Sequence, residues 1–291
     1  MGIGKWLLSL AFVLLPQSSP ANLILTNTFD DGIYDRIYRQ YQSQQCSADA
    51  DYLDNSLFKF VSSPVRGGKL AMQHRVQNCD ERSEIGIPHG IIQKDKEYWL
   101  GWSYFFPSNF LKPVAGKPDR SIVQQMFYQA SFVDQRQGKT LFECNRKSRR
   151  GDVTTTRGVP GSYMTISADG EAYNYTLASY RGQDSAGRYL FTCKSFTIPA
   201  RLDEWEDFVM NLRPSADPET GFIKIWKNDQ LYVNEPVALL RPGVNAMGAW
   251  KIGVYVGDPG HGERLLYTDE LRLGNANSSF AEVSPTGNRE Q

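Results

Sequence analysis

The sequence predicts an all-β chain folded as a single-domain antiparallel jelly-roll β-sandwich. Composition is the first reason: 25 Gly, 15 Pro, 15 Tyr, 15 Phe and 6 Trp in 291 residues suit many short strands joined by tight turns. The second is the recurrence, from Asn22 onward, of short aromatic and β-branched runs between turn signals. The third is that helical periodicity is weak throughout, and neither a repeat nor a linker divides the chain. The length would allow two domains, yet single all-β domains of this size are common. Hydrophobic content of 41% excludes wholesale disorder, and 32 basic against 32 acidic side chains leave no global field to recruit nucleic acid.

Taken in order, Met1–Ala21 (MGIGKWLLSLAFVLLPQSSPA) starts positive at Lys5 and turns apolar over Trp6–Leu15. Ser19 and Ala21 then stand at the −3 and −1 positions of a cleavage site. The segment reads as a signal peptide, its apolar run too short to span a bilayer, and implies a secreted or periplasmic protein without a membrane segment. The sandwich is expected over 22–280 as a monomer, with 281–291 a flexible tail. Its clearest strands are Tyr98–Phe106, Ser121–Tyr128, Ser162–Ser167, Asp207–Leu212, Gly221–Trp226, Trp250–Val256 and Leu265–Leu273. Pro107-Ser108-Asn109, Ser167-Ala168-Asp169-Gly170, Asp217–Gly221 and Lys227-Asn228-Asp229 punctuate them. Leu202–Trp205 suits a single helical turn. Residues 108–120 read as a loop. Residues 143–161 read as a second, with Arg146, Lys147, Arg149, Arg150 and Arg157 either solvated or a local attraction for polyanions.

Export sets the reading of Cys46, Cys79, Cys144 and Cys193: an even number without a C-x-x-C pair suits two disulfides. Of the three pairings, Cys46–Cys79 with Cys144–Cys193 is preferred, because each bridge would clip a long loop to a neighbouring strand. Buried free thiols are the alternative. Asp30, in Phe29-Asp30-Asp31-Gly32, opens the domain and Asp269 lies on its last strand. First and last strands of such sandwiches are often neighbours, so the two carboxylates suit either a structural calcium or plain turns. The chemistry itself asks for no cofactor.

Three groups are candidates for function. In Trp250–Val256 the alternation places Trp250, Ile252, Val254 and Val256 on a core face, and Lys251, Gly253 and Tyr255 on the other. Lys251 and Tyr255 are then about 13 Å apart, with a mid-strand glycine that a sugar ring could lie across. An ordinary solvent face is the bland reading. In Gln73–Ile85, His74 is one of three histidines, and Arg82 shares a face with Glu84. These two either pair with each other, or Arg82 holds a substrate carboxylate while Glu84 fixes the guanidinium. Gln124-Gln125 adds amides that donate to carboxylate or sugar oxygens without adding charge.

WKIGVYVGD, followed by LLYTDELRLG, resembles the closing strands of polysaccharide lyases related to heparin lyase I and glucuronan lyase, where K-x-G-[IV]-Y precedes Tyr-x-Asp-x-x-x-x-Gly. Arg82-Ser83-Glu84 resembles that family's Arg-x-Glu strand, and Trp99–Pro107 its aromatic strand ending in proline. GFIKIWKND is similar to the hairpin strand of concanavalin A-like sandwiches. The resemblance implies β-elimination on an acidic polysaccharide: glucuronan, alginate or a heparin-like chain. Tyr255 would protonate the leaving oxygen on carbon 4 and could also take the proton from carbon 5. His74 would be the base on the opposite side, and Lys251, Arg82 and Gln125 would neutralise the uronate. Glu84, Gln124, Arg146 and Arg149 complete the expected substrate contacts. Neutralisation must come first, because a proton beside an ionised carboxylate is a poor acid. A phenol then needs nearby cations to lose its proton, whereas an imidazole titrates near neutrality. Family members often carry Gln-x-His on the strand matching 121–128; here it reads Gln125-Met126-Phe127. The competing classes are a binding sandwich without turnover and a glycoside hydrolase. The latter has only Glu204 and Glu206 of Asp203–Asp207, without the usual spacing of paired carboxylates.

Overall fold

The computed structural model describes residues 22–33, 37–43, 56–114, 121–143, 146–147, 153–154, 161–257, 260 and 262–286. The expected signal peptide, Cys46, Cys144 and Arg149 lie outside the described residues, and of Arg146 only the backbone is described. Neither Cys79 nor Cys193 is a free thiol.

The strands run in chain order β1 (Leu23–Asn27), β2 (Tyr38–Ser43), β3 (Phe58–Val61), β4 (Ala71–Val76), β5 (Asp80–Ile87), β6 (Tyr98–Phe105) and β7 (Leu111–Pro113). They continue with β8 (Ser121–Tyr128), β9 (Thr140–Glu143), β10 (Arg146–Lys147), β11 (Val153–Thr154), β12 (Gly161–Ile166) and β13 (Ala172–Gln183). The last are β14 (Tyr189–Pro199), β15 (Trp205–Arg213), β16 (Phe222–Lys227), β17 (Gln230–Pro236), β18 (Met247–Tyr255) and β19 (Gly262–Asn275). Two short helices, α1 (Ser131–Arg136) and α2 (Phe280–Val283), complete the described elements.

Nine strands form one sheet in the order β17-β16-β15-β6-β19-β4-β3, with β1 and β7 also paired to β19. Eight form the other, β2-β5-β18-β8-β12-β13-β14-β9, antiparallel except for the β14–β9 pair. This is the jelly-roll sandwich that the alternation predicts. Inward residues of both sheets fill one aromatic core. Trp102 on β6 meets Trp250 on β18 edge-on at 5.0 Å and stacks on Phe208 at 5.3 Å, fastening sheet to sheet.

Each strand read from the sequence is present within a few residues. The long β13–β14 hairpin was not among them, although Ala172–Tyr180 (AYNYTLASY) alternates and Asp184–Gly187 closes the turn. Leu202–Trp205 forms a turn into β15 instead of a helical turn, with Asp203 at φ 60°. The expected tail at 281–291 also needs correction at its start. Ser279 caps α2 through a capping box with Glu282, and Val283 is fully buried over Gly101 and Gly274.

Glu206 is buried inside the sandwich. It takes hydrogen bonds from Tyr173 at 2.6 Å and from Lys227 at 2.5 Å, and Lys227 also donates to Pro199 O. Glu204, its supposed partner in a hydrolase, is exposed and pairs with Arg201. The two carboxylates therefore form no catalytic pair. Lys227→Met, which strands the buried carboxylate, is expected to cost about 3–5 kcal/mol in urea unfolding; an unchanged midpoint would contradict the ion pair.

Candidate active site

The site is built on the outer face of the eight-stranded sheet, where β5, β18 and β8 lie side by side. Register fixes which side chains meet. Tyr255 is paired with Arg82, Gly253 with Glu84, and Lys251 with both Gly86 and Gln125. The Gly86–Lys251–Gln125 row continues through Tyr163 on β12 to Thr176 on β13.

Glu84 is the centre. It starts on β5, opposite Gly253 of β18, and accepts a hydrogen bond from Gln125 Nε2 on β8. Its other oxygen lies 3.4 Å from Arg82 Nη1 and 3.6 Å from Lys251 Nζ. Glu84, Gln125 and Lys251 are buried, and Arg82 is nearly so. Two cations thus share one carboxylate, leaving one positive charge in excess where an anionic substrate would be neutralised. Burial lowers the Lys251 ammonium below the ordinary lysine range, and Glu84 opposes that shift. Half-buried Tyr255 carries the Arg82 guanidinium against its ring, 4.0 Å from the centroid.

The glycine reading needs revision. Gly253 has φ +131°, and a Cβ there would stand 2.3 Å from Ser83 O and 2.9 Å from His74 Nδ1. Backbone geometry demands glycine at this position, so its presence needs no sugar ring to explain it.

Five expected site residues converge here: Arg82, Glu84, Gln125, Lys251 and Tyr255. Two do not. Gln124 pairs with Met164 and Ile252, and so faces the core. It is fully buried, with neither amide atom hydrogen-bonded among the described residues. A bulge in β8 after Ile122 sets which of the paired amides points out, and the sequence does not announce it. His74 belongs to β4, in the other sheet, and is fully buried. Nδ1 donates to Ser83 O at 3.0 Å and Nε2 accepts from the Thr268 hydroxyl at 2.9 Å. Desolvation lowers its pKa to about 3, so the imidazole is neutral, sealed and unable to reach a substrate on the outer face. The expected base is a core residue.

Sequence reasoning missed Phe127 and Tyr163. Phe127 stands where the resemblance expects histidine; its ring lies 5.5 Å from Lys251 Nζ and 5.1 Å from the ring of Phe132. With His89 and Gly248 these rings line a pocket of about 80 Å³ beside Lys251. Tyr163 follows from the alternation in Gly161–Ile166, which turns it outward. A cavity of about 590 Å³ is remote from this chemistry, between Ile24, Tyr98, Arg213 and Asn277.

Asp30 and Asp269 both reach the 66–70 loop. Asp30 accepts from the backbone of Lys69 and Leu70, and Asp269 from Arg66, Gly67 and Glu270. Burial raises Asp269 to about 7, and Glu270 adds to the shift. The described residues hold no group of three metal-ligating side chains. Both carboxylates are answered by backbone N–H groups, which satisfy them as loop caps.

The chain matches the profile of a family described as polysaccharide lyase over residues 37–272. No curated protein matches it. Among solved structures it is similar to an endo-β-1,4-glucuronan lyase from the fungus Trichoderma reesei, at 16% identity and a TM-score of 0.57, covering 85% of this chain and 98% of that one. It is also similar to the alginate lyase vAL-1 from a Chlorella virus, at 10% identity and a TM-score of 0.49, covering 87% and 100%.

His74 yields a test of this geometry. The folded imidazole takes up its proton only near pH 3, the unfolded one near 6.5. Over that window the unfolded chain binds more protons, so stability is lost as pH falls from about 6.5. An NMR titration should find one histidine neutral down to about pH 4 in the folded protein; ordinary titration of all three would place His74 outside the core.

Proposed function

The chain belongs to the polysaccharide lyase family, and from that premise we propose that it is an exported enzyme cutting a uronate-containing polysaccharide by β-elimination on the outer face of the eight-stranded sheet. One observation carries this reading: Tyr255 is stacked against Arg82, which shares a single carboxylate with Lys251.

The uronate carboxylate binds against Arg82, Lys251 and Gln125, whose charge and N–H groups stabilise the negative charge that develops when the carbon-5 proton leaves. Tyr255, as phenolate beside Arg82, takes that proton. The electron pair forms the carbon 4–carbon 5 double bond, the bond from carbon 4 to the glycosidic oxygen breaks, and the phenol returns the proton to that oxygen. No water is consumed and no net proton is released. With His74 in the core, one tyrosine acts as both base and acid, and so serves hydrogen and leaving group on the same side of the ring. D-glucuronate and D-mannuronate present that arrangement, whereas L-guluronate and L-iduronate do not. The disulfides Cys46–Cys79 and Cys144–Cys193, and a structural calcium between Asp30 and Asp269, belong to the same reading of an exported sandwich.

Tyr255→Phe is expected to lower the ultraviolet absorbance generated from glucuronan by at least ~100-fold with thermal stability unchanged. Full activity in that variant would remove Tyr255 from the mechanism, and equal rates on polyguluronate would remove the one-sided elimination. EDTA at pH 8, where Asp269 is ionised, is expected to lower Tm by several degrees, restored by Ca²⁺; an unchanged Tm would leave Asp30 and Asp269 as loop caps alone.

A further inference from the structure

Two patches of the outer face of the nine-stranded sheet are covered. Val283 lies on Gly101, and Phe280 packs on Trp226, which stacks on Trp99. Farther along, Arg66 closes on Asp207 with two hydrogen bonds while its loop caps Asp269. One strip beside that loop stays partly open. Register aligns Trp205 on β15, Phe105 on β6 and Tyr267 on β19, and the row continues to Gln73 on β4 and exposed Lys59 on β3. The three rings are half-buried, with centroids 5.5 and 6.0 Å apart.

Next to Gln73 the strip opens into a pocket of about 230 Å³. Arg75 and Lys112 flank it, 42% and 63% exposed, and both pair with Glu263. Two cations on one carboxylate, with Lys59 at the end of the row, leave this strip positive on a chain with no net charge.

We propose that this strip is a second glycan-binding surface, on the sheet opposite the reacting groups, and that it holds one acidic polysaccharide chain. Aromatic rings cover the apolar faces of sugar rings, while Gln73, Arg75 and Lys112 meet hydroxyls and carboxylates. Neighbouring rings are inclined at 55° and 73°, so they make no flat platform. Such a row suits a single twisted chain rather than the planar face of a crystalline polymer. The acidic class is drawn from the charges of this strip alone and is independent of the chemistry around Tyr255.

The test is retardation in native gels cast with glucuronan or with a neutral, soluble cellulose derivative, using Tyr255→Phe protein so that the polymer survives. Adding Trp205→Ala, or Arg75→Ala with Lys112→Ala, should weaken retardation by glucuronan about threefold or more. In the protein with Tyr255 intact, the same substitutions should leave the rate on short oligosaccharides unchanged. The charge pair sits on exposed side chains, so it reports even if the tryptophan variant unfolds. Unchanged retardation in the charge variant, equal retardation by the neutral polymer, or no retardation of the parent protein would each overturn the proposal. The assay reads binding without turnover, so its outcome is separate from that of the elimination.

Discussion

A carboxylate without solvent must be surrounded by donors or give up its charge, and Glu84 meets that condition with donors from its own strand and from two others. From β5 the carboxylate spans β18 and reaches the amide of Gln125 on β8. Arg82 and Lys251 close on the same group from either side. Three strands are thereby tied through side chains as well as through their backbone ladders. The consequence for chemistry is preorganisation: the groups that would receive a uronate are already gathered, and their charge already exceeds that of their shared partner.

Much of this is written locally in the sequence. Alternation alone puts Lys251, Gly253 and Tyr255 on one face of a strand, and Arg82 with Glu84 on one face of another. What alternation lacks is the partner strand and the register. The approach of Lys251 to Glu84 and the stacking of Arg82 on Tyr255 depend on β5 running beside β18, which joins residues more than 160 positions apart. Gln124 shows the same gap at the scale of one residue, since a bulge in β8 decides which of two adjacent amides faces the core. His74 was misread for a different reason: histidine has no preferred side of a strand, and only the neighbouring sheet reveals that Ser83 and Thr268 satisfy both its ring nitrogens.

The two sheets divide the work unequally. The nine-stranded sheet supplies β19, which pairs with β1, β4, β6 and β7 and carries the buried carboxylates under the 66–70 loop. The eight-stranded sheet carries the polar row and the half-buried phenol. Between them the aromatic core centred on Trp102, Phe208 and Trp250 holds the separation constant, and Glu206 with Lys227 shows that a fully satisfied ion pair is tolerated inside it.

The histidine beneath the glycine ties these halves together. Its ring touches the carbonyl of Ser83, and a single methyl group at Gly253 would collide with both. Along this stretch, the wall between the oily interior and the wet surface is only one peptide thick. A repacking around Phe58 or Thr268, on the far sheet, would therefore tilt the floor on which Glu84 rests. The interior of this chain is least free to change directly behind Glu84.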